Sequence, residues 1–375
     1  MESSEKNKLK NNSYIYDENN NKSYSKTLYI LIIIQISLLL YSIVFGKAIW
    51  NKISEIICFL KGNIQKQNNN NAILFENIKE KFNEVEKEKY FNKQNYFCQN
   101  SGLFNNSSFE EKIEVANAKY NNLTFNMYVY KKGDTVSEII SKYGSWEIVE
   151  TKFLLLSLDY YYNKTNISKK DIYILDIGAN IGWYSLVLGI QGYNVLSFEP
   201  SRRNYYILLK NYCLNQNINL IIINKGLDTE SKNCTLYHPL DNIGNAIIYY
   251  NLNESKKQNY EEEKIILTRL SNYVEFLTSK NVALIKLDVE GSEGKAIEGG
   301  IDLIVKYHVP FIFIEWTPRQ LILKGTDPKL FLQIFENNGY KISTKDFLSK
   351  QYCHIEELLN VHKINIYIVY TKFLE

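Results

Sequence analysis

The sequence predicts an α/β domain on a mostly parallel, doubly wound sheet, preceded by an apolar N-terminal segment. Three observations lead there. From about residue 101 onward, short apolar runs alternate with helix-like stretches. The runs are apolar throughout rather than at every second residue, as in strands buried on both faces. Acidic residues recur at the ends of three of these runs, where sheets of this class bind ligands.

In chain order, residues 1–26 are polar and rich in Asn, Lys and Ser, and read as a disordered tail. Residues 28–46, LYILIIIQISLLLYSIVFG, carry no charge. Roughly 20 helical residues cross a bilayer core, whereas a secretory leader has an apolar run of only ~7–15. Residues 27–46 are therefore read as an uncleaved single-pass membrane anchor. Lys22 and Lys26 before it, against Lys47, Lys52 and Lys61 after it, leave the orientation open. The catalytic domain is thus lumenal (Golgi- or ER-like) or cytosolic on this reading. A short N-terminal tail with a large C-terminal domain matches the layout of type II Golgi enzymes. The N-x-S/T sequons at Asn105, Asn106, Asn122, Asn163, Asn166, Asn233 and Asn253 suit a lumenal domain. Residues 47–100 read as a stem, and residues 101–375 as the globular domain.

Within that domain, strands are expected at 172–177, 194–198, 219–223, 282–287, 311–314 and 364–369, and helices at 181–190, 202–215, 292–305 and 327–338. The rhythm breaks over 233–268. There 235–238, 246–249 and 265–268 read as inserted antiparallel strands.

Composition narrows the function. Lys+Arg 44 against Asp+Glu 41 gives +3, too little for a strongly basic nucleic-acid binder, and no nucleic-acid partner is expected. Residues 101–375 alone carry 30 basic and 31 acidic side chains. The 4 His, at 238, 308, 354 and 362, form no H-x-x-x-H pair, and the 5 Cys form no C-x-x-C. A His-based metal enzyme and a zinc ribbon are therefore disfavoured. Nothing in the sequence speaks to oligomeric state.

Three motifs carry the chemistry. Asp176-Ile-Gly178-Ala-Asn180-Ile-Gly182 follows an apolar strand and opens a helix. Its glycines let the backbone turn tightly and approach a ligand, and the helix presents amide N–H groups to the loop. The G-x-x-x-G spacing differs from the G-x-G-x-x-G that holds a pyrophosphate. It suits a ligand whose amino and carboxylate groups meet the loop, as those of S-adenosylmethionine do. Next, the strand ending at Phe198 runs into Glu199-Pro200, placing a carboxylate where it can accept from both ribose hydroxyls. The third motif is Ile285-Lys-Leu-Asp288-Val-Glu290-Gly291-Ser-Glu293. Asp288 and Glu290 are two apart on an extended segment and point to one side. Glu293 opens the following helix, where an acid complements the dipole, and is read as structural.

These motifs, in this order and spacing, resemble the FkbM-type S-adenosylmethionine-dependent methyltransferases over about residue 144 to the C-terminus. The resemblance implies a Rossmann-like class I methyltransferase fold with a seven-stranded sheet and an inserted β-region. It implies that Glu147, in Gly144-Ser-Trp146-Glu147, belongs to a lead-in packed over the cofactor site. It places Asp228, in Lys225-Gly-Leu-Asp228, near the adenine, and Glu315, at the end of Phe311-Ile-Phe-Ile-Glu315, near the acceptor pocket. Asn242-Ile-Gly244-Asn245 resembles a turn of the inserted region. One departure is Leu270-Ser271-Asn272, where relatives often have Leu-Asp-Asp.

The expected function is a membrane-anchored O-methyltransferase acting on a hydroxyl of a sugar, glycan or other small acceptor. Its cofactor is S-adenosylmethionine, held by Asp176, Gly178, Asn180, Gly182, Glu199, Asp228, Asp288 and Glu147. Glu290 is the first candidate base, Asp288 the second and Glu315 the third. No metal is assigned. The competing readings are an NAD- or nucleotide-sugar-dependent enzyme, against which the glycine spacing speaks, and a non-catalytic glycan-binding relative. Trp183, Tyr184 and Trp316 are read as packing residues near the site.

Overall fold

The structure is a computed structural model and describes residues 87–100, 107–240, 242, 244–248, 259–276 and 281–375. All lie in one compact unit, Glu86–Glu375. The expected tail, the anchor at 27–46 and most of the stem lie outside the described residues. Among the described residues, no helix is long and apolar enough to cross a membrane.

The larger elements follow in chain order. Helix α1 spans 87–99. A hairpin of β1 (Ile113–Tyr120) and β2 (Leu123–Tyr130) leads into α2 (Thr135–Tyr143) and α3 (Ile148–Thr165). Then come β3 (Tyr173–Ile177), α4 (Trp183–Ile190), β4 (Asn194–Phe198), α5 (Arg202–Leu214) and β5 (Leu220–Ile223). The inserted region holds β6 (Gly226–Leu227), β7 (Lys232–Pro239), β8 (Ile247–Ile248) and β9 (Tyr260–Thr268). The chain returns through β10 (Val282–Leu287), α6 (Glu293–Glu298), α7 (Ile301–Tyr307) and β11 (Phe311–Trp316). It ends with α8 (Pro318–Leu323), α9 (Pro328–Asn337), β12 (Tyr340–Ser343) and β13 (Ile364–Tyr370).

Seven strands form the central sheet in the order β12-β13-β11-β10-β3-β4-β5. Pairings from β11 across to β5 are parallel, and β13 runs antiparallel to both β11 and β12. The sheet is thus mixed but mostly parallel, as the apolar runs predict. Alternate residues of each strand feed opposite cores because strand side chains alternate in direction. Ile174, Val195, Phe311 and Phe313 enter one core, and Leu175, Leu196, Ile312 and Ile314 the other. The insertion folds into a separate sheet, β6-β9-β7-β8, with β7 antiparallel to both β8 and β9.

Three departures from the sequence reading have physical causes. The helix expected over 292–305 is two helices, broken at Gly299-Gly300. A Cβ on Gly299 would lie 2.2 Å from the Asp228 carbonyl oxygen, and one on Gly300 2.6 Å from Leu270, so the chain passes close to its neighbours there. The β1–β2 hairpin was not anticipated, although its burial alternates as a one-sided ribbon should. The stem boundary at residue 100 is also corrected, because residues 87–99 pack on the domain. On α1, the Gln94 side chain donates to the Leu220 carbonyl (2.9 Å) and accepts from the Ile222 N–H (3.0 Å). β5 is the edge strand, and its outward N–H and C=O groups need partners. A glutamine amide carries both N–H donors and a carbonyl acceptor, so it substitutes for part of a neighbouring strand.

Candidate active site

A cavity of about 270 Å³ opens at the C-terminal ends of β3, β4, β10 and β11. Gly178, Asn180, Gly182, Glu199, Glu147, Asp288, Glu290 and Glu315 all line it, as does the inserted turn at Asn242, Gly244 and Asn245.

The glycine loop is built by close approach. Gly178 (φ 80°) and Gly182 (φ 100°) hold left-handed backbone that other residues rarely adopt. A Cβ on Gly178 would fall 1.8 Å from the Asp288 carbonyl oxygen, and one on Gly182 2.2 Å from Leu208. The N–H groups of Gly178 and Ala179 both donate to the Phe198 carbonyl (3.0 Å each), drawing the tips of β3 and β4 together. Glu199 completes this wall. One carboxylate oxygen accepts from the Asn180 N–H (2.8 Å) and the other from the Ser201 N–H (2.9 Å). Its burial, at 5% exposed, pushes its pKa up to about 7 against the pull of those N–H groups.

Two predicted cofactor residues are not on the cavity wall. Asp176 is 1% exposed and lies behind the loop, where one oxygen accepts from the Ser185 hydroxyl (2.5 Å). Its other oxygen has no hydrogen bond and sits 3.6 Å from the Lys286 ammonium. Asp228 is fully buried and accepts from its neighbour Thr229, at the backbone N–H (2.6 Å) and the hydroxyl (3.0 Å). Pairing of β6 with β9, continued by the Asp228 N–H to the Thr268 carbonyl (2.9 Å), draws it away. Lys225, Gly226 and Leu227 line the cavity instead.

The opposite wall is acidic. Asp288, Glu290 and Glu315 each bring a carboxylate oxygen within 4.8 Å of the others. Burial raises the Glu290 pKa, helped by the Asp288 charge, while Lys363 and Lys324 oppose. Burial and then Asp288 push Glu315 up to about 7, although Lys363 donates to it at 2.6 Å. Glu147 joins from the lead-in. It accepts from the Tyr184 hydroxyl (2.5 Å), and burial raises its pKa. Glu147 (φ 41°) and Glu290 (φ 53°) both hold left-handed backbone, which costs a non-glycine residue about 1–2 kcal/mol. Strain of this kind clusters at functional sites. Glu293 staples the loop, accepting from the Val289 and Gly291 N–H groups (3.1 Å each), in keeping with its structural reading. Trp183 and Trp316 spend their indole N–H groups on Thr151 (3.0 Å) and the Leu358 carbonyl (2.8 Å), as packing residues do.

Residue-type reasoning overlooked Lys286. It is 3% exposed, donates to the Gly178 carbonyl (2.8 Å), and lies 3.6 Å from Asp176 and 3.7 Å from Asp288. It ties the glycine loop to the acidic wall. Burial opposes its charge, but Asp288, Asp176, Glu147 and Glu315 more than compensate and raise its pKa. The signal was present: a lone lysine in an apolar central strand is buried only when paired. Asn204 was also missed. Its amide donates to the Gly244 carbonyl (3.0 Å) and so seats the insertion over the cavity.

Against this geometry, residues 176–342 match the family described as the methyltransferase FkbM domain. The match covers a little under half of the chain and includes the glycine loop, Glu199 and the acidic wall. No curated protein matches the chain. Among solved structures, the bifunctional kinase-methyltransferase WbdD is 11% identical with a TM-score of 0.36, over 62% of this chain and 41% of that one. The chain therefore spans under half the length of WbdD. Magnesium protoporphyrin IX methyltransferase (ChlM) from Synechocystis PCC 6803, solved with bound SAM, is 9% identical with a TM-score of 0.31, over 63% and 83%. The T. thermophilus 16S rRNA N2 G1207 methyltransferase RsmC is 10% identical with a TM-score of 0.32, over 68% and 50%. The residues present fit an S-adenosylmethionine-type cofactor. The buried Asn180 Oδ1 and Asn242 Oδ1, both on cavity residues, lack hydrogen-bond partners among the described residues. Buried acceptors of this kind call for a donor from a ligand or water.

Proposed function

We propose that the FkbM domain methylates a hydroxyl of a sugar, glycan or other small hydroxylated acceptor, in a chain anchored to a membrane by residues 27–46. The observation that carries this reading is one cavity with two unlike walls, a glycine loop with Glu199 facing a group of carboxylates. Bound S-adenosylmethionine would supply a methyl group already activated by a positive sulfur. Gly178, Asn180, Gly182, Glu199 and Glu147 hold it, and Asp288 borders both walls. On the acidic wall, Glu290 is placed to take the proton of the acceptor hydroxyl, with Asp288 and Glu315 alongside. Carboxylates with raised pKa suit that exchange, because a base works best with a pKa near the working pH. Alignment of the reacting atoms supplies much of the remaining rate. Neutral charge over residues 101–375 favours an uncharged polar acceptor.

The test is titration calorimetry of the full-length protein in detergent with S-adenosylmethionine, followed by transfer of labelled methyl to a panel of free and lipid-linked sugars. Saturable binding that Glu199→Ala weakens at least tenfold, and label on a sugar oxygen that Glu290→Gln abolishes, are expected. Tight NAD binding without S-adenosylmethionine binding would overturn the reading.

A further inference from the structure

Cys98 on α1 and Cys213 near the end of α5 form a disulfide, with Cα atoms 5.3 Å apart at a sequence separation of 115. That spacing lies within the range an unstrained bridge requires. Independent contacts hold the two helices in register. Tyr212 donates to Asn95 (3.2 Å), Gln94 is fixed on β5, and the Phe97 ring meets Tyr206 edge-on at 5.5 Å. The sulfurs are therefore brought together by the packing of the domain itself. Structural disulfides persist in oxidising compartments and are rare where thioredoxin and glutathione keep thiols reduced.

A second feature points the same way. Every N-x-S/T sequon within the described residues has an exposed asparagine: Asn122, Asn163, Asn166 and Asn233. The fully or nearly fully buried asparagines Asn204 and Asn211 begin no sequon. Asn122 lies in the two-residue turn between β1 and β2, where a glycan projects into solvent without meeting the fold.

We infer that the domain matures in an oxidising, N-glycosylating compartment, with Cys98–Cys213 closed and Asn122 a glycan acceptor site. Closing the bridge takes two electrons and two protons from the two thiols. A disulfide-bearing oxidoreductase of that compartment accepts them through a mixed disulfide. This places the cavity on the lumenal or extracellular side, the alternative that the flanking lysines leave open. The inference is independent of which acceptor is methylated.

The experiment expresses the full chain, untagged at sequons, in animal cells with a secretory pathway. An N-glycosidase is expected to lower its apparent mass on gels, and Asn122→Gln to remove one discrete step of that shift. Maleimide trapping without reductant is expected to leave Cys98 and Cys213 unlabelled until reductant is added. Asn122→Gln alters only an exposed turn, so loss of its step does not depend on an effect on folding. Either labelling of both cysteines without reductant, or no change in mass after glycosidase, would overturn the inference. S-adenosylmethionine binding measured on the same material separates failure of this inference from failure of the methyltransferase reading.

Discussion

The two walls of the cavity are built by different means. The glycine-loop wall is backbone held against backbone. Gly178 is wedged against Asp288, two N–H groups converge on the Phe198 carbonyl, and both Glu199 oxygens are satisfied by N–H groups. The acidic wall is side chain against side chain. Asp288, Glu290 and Glu315 crowd one another, with Lys363 and Lys286 supplying opposing charge. The first arrangement is set by backbone geometry. The second is set by the mutual charge of side chains, so a single charge change alters it. Both walls hold left-handed backbone: Gly178, Asn180 and Gly182 on one, Glu290 and Gly291 on the other.

Mutations can break this contrast, and the largest effect is expected at the glycine-loop wall. Gly178→Val adds a Cβ where the Asp288 carbonyl already stands and forces a left-handed φ, so a loss of about 2–5 kcal/mol is expected. Urea unfolding should show a lower midpoint, and calorimetry no heat with S-adenosylmethionine.

The staple on α5, the helix behind the same wall, comes next. Cys98→Ser with Cys213→Ser opens a long loop and should cost about 2–5 kcal/mol. The wild type in reductant should unfold at the same midpoint as this double variant, and a gap between the two curves would count against the bridge.

Glu199 sharpens the comparison through pH. Its folded pKa of about 7 lies above the ordinary 4.5, so the folded state holds a proton that the unfolded chain has released between these values. Stability therefore falls as pH rises from about 4.5 to 7, and the full penalty is present above 7. Glu199→Gln removes that penalty. Its melting temperature relative to wild type should rise between pH 5 and pH 8, by an amount reflecting about 2–3 kcal/mol at about 1.4 kcal/mol per pKa unit. A pH-independent difference would refute the assignment.

The smallest effect is at the strained acid. Glu290→Gly releases left-handed strain and should leave stability unchanged or raised by up to about 1 kcal/mol. S-adenosylmethionine affinity should stay within a few-fold while methyl transfer is lost. A large loss of cofactor affinity would mean that Glu290 belongs to the other wall.

Much of the site was legible because its signals are local. Gly178, Asn180 and Gly182 lie within five residues, and Glu199, Asp288, Glu290 and Glu315 stand at or just beyond the ends of recognisable strands. Asp176 carried the same local signal and Asp228 was placed by the resemblance, yet neither lines the cavity. Asp176 precedes the turn at Gly178 and points toward Ser185 on α4, and Asp228 is carried off by pairing with β9. Nothing within a few residues of either reports that direction.

The sequence by itself determined the strand–helix rhythm, the inserted antiparallel region and the ends of the strands where acids gather. These follow from side-chain periodicity and backbone preference, which act over a few residues. Only the tertiary structure decided that Lys286 bridges the two walls, that Gln94 completes the edge of β5 and that Cys98 meets Cys213. Each joins residues more than a hundred positions apart, or charges on separate strands, and such pairings exist only once packing has brought the elements together.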